Sequence, residues 1–116
     1  MIEDATEILK DRHRLDYGEI QLIKIYIEAC KEDSIFSSMT KIRLWYHTIF
    51  IDYYNPLDPL PKHIFKITIY PDFNIICQGY KRYYKKYPAN TIKEIEMKDI
   101  ILSEVRSIIK AWKEYD

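Results

Sequence analysis

Between residues 80 and 87 four cations are interleaved with four tyrosines: Tyr80, Lys81, Arg82, Tyr83, Tyr84, Lys85, Lys86 and Tyr87. Lysine and arginine neutralise phosphates, and a tyrosine ring is a flat face on which an unpaired base stacks. The combination points to nucleic acid. The same run also fits an edge strand guarded by charge, with its tyrosines half-packed under a helix. As a strand, Lys81, Tyr83 and Lys85 face one way and Tyr80, Arg82, Tyr84 and Lys86 the other.

The charge distribution supports a basic middle. Lys+Arg and Asp+Glu balance at 18 each. Residues 1–40 nevertheless carry nine carboxylates against five cations, and residues 41–90 eight cations against three carboxylates. A neutral total thus hides a dipolar molecule with a basic sheet end. Arg43 and Lys66 join the 81–87 run as candidate phosphate contacts.

Other groupings carry weaker chemistry. His13, His47 and His63 would need one shared face and a carboxylate such as Asp52 or Asp72 to hold a metal. Asp52, Asp72 and Lys66 or Lys81 faintly suggest a metal-dependent nuclease. Pro71-Asp72 followed by Gln78 and Lys81 approximates the PD-(D/E)xK pattern but lacks its second acid. Cys30 and Cys77 stand far apart, with no paired zinc spacing, and read as buried thiols, or as one disulfide. No metal or cofactor is expected.

These residues need a scaffold, and periodicity predicts one. Residues 2–15 and 17–32 read as helices, the second opened by a capping box of Asp16 and Glu19. Ile20, Ile23, Ile27 and Cys30 give it an apolar stripe, widened by Leu22, Tyr26 and Ala29. Residues 34–41 read as a linker or a short extra turn. Residues 43–54 are dense in aromatic and β-branched side chains and predict one strand, apolar on both faces. Trp45, Ile49 and Ile51 fall on one side of it with Arg43, His47 and Tyr53. Three prolines between 55 and 61 end it in an ordered loop.

Residues 63–70 and 75–84 form a second and a third strand around a Pro71-Asp72-Phe73-Asn74 turn, with Gly79 marking a bulge. Thr91 and Glu94 make another capping box, and the helix they open runs to about residue 113. Its main stripe is Ile95, Leu102, Val105, Ile109 and Trp112, broadened by Met97, Ile101 and Ile108. The expectation is a single α+β domain, residues 1–116, with a three-stranded antiparallel sheet in the order α-α-β-β-β-α.

That order resembles the RelE/ParE toxin fold without its first strand. The resemblance implies a metal-free ribonuclease that positions RNA with Lys and Arg and uses tyrosine or a basic residue in acid–base roles. It points to Arg43, His47, Lys66, Lys81, Arg82 and Tyr83. Composition carries a second resemblance. The chain has 21 Ile, 13 Lys and 11 Tyr, with three Asn and two Gln. Rich Lys with few amides is the hyperthermophile pattern. In this style the chain resembles small orphan proteins of viruses infecting hyperthermophilic archaea, and no site residue is carried across.

No apolar run is long enough to span a bilayer, and the acidic, polar start is unlike a secretory signal. The expected protein is an intracellular, nucleic-acid-binding accessory protein away from membranes. A protein-interaction module, a homodimeric inhibitor of a host factor, or a small nuclease is the alternative.

Overall fold

The computed structural model describes residues 2–53, 65–79, 84–89 and 91–115, without the side chains of 12 and 112–115. Helix α1 is Ile2–Lys10, followed by a 3-10 turn at Arg12–Arg14, α2 at Tyr17–Glu32 and α3 at Ser34–Met39. Strands β1 Thr40–Trp45, β2 Thr48–Tyr53, β3 Phe65–Ile69, β4 Ile75–Gly79 and β5 Tyr84–Tyr87 come next, and α4 Glu94–Tyr115 closes the chain. The strands form one five-stranded antiparallel meander in the order β1-β2-β3-β4-β5.

The fold is therefore α+β, but its sheet has five strands where three are predicted. The stretch at 43–54 is two strands and a two-residue turn, with Trp45 opposite Thr48. Tyr46 and His47 make that turn at φ 49° and 62°. Asparagine and glycine usually mark such a turn, because they adopt left-handed backbone at least cost. An aromatic and an imidazole give no such signal, and they hide the break inside a strand-like composition. The stretch at 75–84 also divides. Strand β4 stops at Gly79 and β5 starts at Tyr84.

The turn sets which side chains meet the helices. Thr40, Ile42 and Leu44 of β1 point the same way as Ile49, Ile51 and Tyr53 of β2, and Arg43 and Trp45 point the other way. Every apolar strand residue of the core lies in that inward set: Ile42, Ile49, Ile51, Phe65, Ile67, Ile69, Ile75 and Cys77. Against it pack Ala5 of α1, the buried side of α2 and Met97, Ile101, Leu102, Val105 and Ile108 of α4. On α2 that buried side is Leu22, Ile23, Tyr26, Ala29 and Cys30, and on α4 the stripe excludes Ile95, which is 86% exposed.

Local chemistry explains the helix ends. The Asp16–Glu19 capping box is present, with Glu19 N–H donating to Asp16 Oδ1 (2.8 Å) and Asp16 N–H to Glu19 Oε1 (3.2 Å). The 34–41 stretch is a helix because Asp33 caps it, accepting from the Phe36 N–H at 3.0 Å. The first helix is shorter than predicted and ends at Lys10. The second predicted box is not formed. Helix α4 begins at Glu94, and the Thr91 hydroxyl donates to the Pro88 carbonyl instead.

One buried polar knot ties α2, α3 and β1. The Thr40 hydroxyl donates to the Phe36 carbonyl (2.7 Å), so the Tyr26 hydroxyl, 2.9 Å from Thr40 Oγ1, is the donor to it. The Tyr26 ring is tilted against Phe36 at 5.5 Å. Burial pushes the Tyr26 phenol far above its ordinary pKa, so it stays a donor at any working pH. Tyr26→Phe is expected to cost about 1–2 kcal/mol in urea unfolding, because Thr40 loses its buried donor.

Asp33 predicts an acid limit. The Phe36 N–H, then Arg106 at 3.0 Å, hold its carboxyl below the ordinary value. A lowered folded-state pKa means that the stabilisation is present above about pH 4 and lost as the pH falls through the folded value. Asp33→Ala should cost about 1–2 kcal/mol at neutral pH and progressively less as the pH falls below about 4, measured by urea unfolding across that range.

Candidate nucleic-acid interface

The side chains that alternate with the core set make the second face of the sheet. Pairing aligns them in rows across all five strands. One row runs Lys41, Asp52, Lys66, Gln78, Tyr84. The next runs Arg43, Phe50, Thr68, Ile76, Lys86. Trp45 and Thr48 start a third beside the turn. Each row crosses four interstrand steps, about 19 Å at the usual spacing. Among the described residues four cations stand on this face against the single carboxylate of Asp52.

Phe50 lies near the middle of it. The Arg43 guanidinium sits 4.5 Å over the ring and the Lys66 ammonium 5.8 Å from its centre. Arg43 Nε also donates to Asp52 Oδ2 at 2.8 Å. The pair holds the guanidinium over the ring, with its other side left for a base to stack on. At the turn, Trp45 and Tyr46 are exposed and meet edge to face at 4.8 Å. Tyr84 is exposed on β5.

Within residues 84–87 the tyrosine-cation run divides between the two faces of the sheet. Tyr84 and Lys86 project to the open face, while Lys85 and Tyr87 alternate onto the helix side. There Lys85 Nζ donates to Glu104 Oε1 of α4 at 2.8 Å, and the Tyr87 hydroxyl donates to the same oxygen. Glu104 is only 4% exposed, so a buried carboxylate finds its donors on the edge strand. The Glu104 contact raises the Lys85 pKa above the ordinary lysine value. Lys81, Arg82 and Tyr83 lie outside the described residues.

Of the predicted contacts, the open face brings together Arg43, Lys66, Tyr84 and Lys86. Lys41, Trp45 and Phe50 belong with them; Phe50 is lost by reading 43–54 as one strand and Lys41 by reading 34–41 as a linker, whereas Trp45 shares the face of Arg43 in either reading. Glu104 is missed because an acid on an apolar helix stripe resembles a lapse in the pattern. The nuclease grouping is not assembled among the described residues. Asp52 is held by Arg43, and Asp72 accepts from the Asn74 N–H in the β3–β4 turn. Of the histidines, His47 meets Glu19 at 3.0 Å, His13 is exposed in the 3-10 turn, and His63 lies outside the described residues.

Glu104 is expected to govern the seating of β5. Glu104→Ala strands the Lys85 ammonium and the Tyr87 hydroxyl and should cost about 2 kcal/mol. Lys85→Met should cost at least as much, because it leaves the buried Glu104 carboxylate without its cation, whereas Lys85 is half in solvent. Urea unfolding of the two variants checks the order. No family model, no curated protein and no solved structure matches this chain, so its function is argued from the geometry of this face.

Proposed function

We propose that the open sheet face binds single-stranded nucleic acid. The observation that carries the reading is the gathering of Lys41, Arg43, Lys66 and Lys86 with Phe50, Tyr84 and Trp45 on one side of the sheet. Cations along the rows would contact phosphates, and the exposed rings and the Arg43 plane would stack bases. Exposed rings on an open sheet favour unpaired bases, which can be splayed out and stacked flat on them. The basic middle of the chain supports the same reading. Among the described residues no helix is long and apolar enough to cross a membrane.

A protein partner is the second reading, favoured by the exposed Trp45–Tyr46 pair, since such rings dominate protein interfaces. A homodimer through these rings is one form of it. The two readings separate by charge. Anisotropy with labelled single- and double-stranded oligonucleotides should show tighter single-strand binding. Four phosphate contacts give a log–log salt slope of about −3. Lys66→Glu with Lys86→Glu should weaken binding by about tenfold or more at low salt, while light scattering of an apolar dimer stays unchanged. No binding at the lowest salt would reject the nucleic-acid reading.

A further inference from the structure

The turn at Tyr46-His47 meets the start of α2, and the contact contains more ligating groups than a helix cap uses. Asp16, Glu19 and His47 come from segments 28 residues apart, yet each places a donor atom within 4.8 Å of the others. His47 Nδ1 already lies 3.0 Å from Glu19 Oε1. Two ligands on one ion with bonds near 2.1 Å sit about 3.0–3.4 Å apart. The two nearest donors are therefore at a chelating separation before any ion arrives.

Two further observations bear on an ion here. Glu19 is 5% exposed, and both hydrogen bonds to its carboxylate fall on Oε1. Among the described residues nothing donates to Oε2, so this oxygen is the one left to bind a ligand. Asp16, Glu19 and His47 also border a small cavity of about 40 Å³, closed by Gly18, Leu22 and Phe73. That is larger than the minimum for one water, so an ion with a water fits. A capping box alone needs neither the imidazole nor the cavity.

We propose that Asp16, Glu19 and His47 form a binding site for a first-row divalent metal ion of the zinc class. One imidazole with two carboxylates is a borderline-hard donor set, which suits Zn²⁺ or Co²⁺ better than Mg²⁺. The ion replaces the His47–Glu19 hydrogen bond with two metal bonds, takes Asp16 as third ligand and completes its shell with water. It clips the β1–β2 turn to α2 and so fixes the position of Trp45 and Tyr46.

The test uses the full chain stripped with a chelator, then titrated with Zn²⁺ by calorimetry and with Co²⁺ by visible absorption. The expected result is one ion per chain, a Co²⁺ spectrum of nitrogen and oxygen ligation, and a raised Tm with Zn²⁺. His47→Gly is the informative variant. The side chain is 66% exposed, and glycine accepts the φ of 62°, so the fold is kept, as circular dichroism will verify. It should weaken Zn²⁺ binding by more than about tenfold. No uptake of Zn²⁺ or Co²⁺, or uptake unchanged in His47→Gly, overturns the proposal.

Discussion

Alternation along a strand has a period of two, so one local event decides the side to which every later side chain points. In this protein that event is the reversal at Tyr46 and His47. A turn one residue longer would carry Ile49 and Ile51 to the open side and Phe50 and Asp52 toward the helices. The turn is built from left-handed backbone that neither residue favours. It is held by pairing on both sides, Trp45 with Thr48 and Leu44 with Ile49, and by the reach of His47 to Glu19. The cost of the backbone is met by the burial that the correct parity allows.

The two faces that result have different physics. The helix side is close to fully apolar, with Tyr26, Thr40 and Glu104 admitted because each polar atom finds a partner. The open side keeps its charges near water, where they are screened and individually weak. Such charges add little to folding. The Arg43–Asp52 pair illustrates this. It orders a guanidinium on an aromatic ring without drawing it into the interior.

What the sequence made legible follows from how local each signal is. The Asp16–Glu19 cap lies within four residues and reads directly, as does the Phe65–Ile69 strand with its clean alternation. The turn at Tyr46-His47 does not, because its conformation is imposed by pairing partners rather than by its own preferences. Once that turn is lost, Arg43 is placed with Ile49 and the composition of the basic face cannot be assembled. The α4 stripe is legible to within about one position. Ile95 and Glu104 swap their expected surroundings because Glu104 is claimed by Lys85 and Tyr87, which are distant in sequence. The parity within residues 84–87 is legible, but the destination of each side depends on where the edge strand docks.

Cys30 and Cys77 are both free and buried, Cys30 on the inward side of α2 and Cys77 on the inward side of β4. Burial raises both thiols above the ordinary value, Cys77 to about 12, where the Glu104 carboxylate adds to the effect. A thiol that is shielded and protonated does not react with alkylating reagents until its surroundings open. The chain thus contains two built-in clocks, one in the helical layer and one in the sheet. Their relative alkylation rates report whether these two layers come apart together or in sequence.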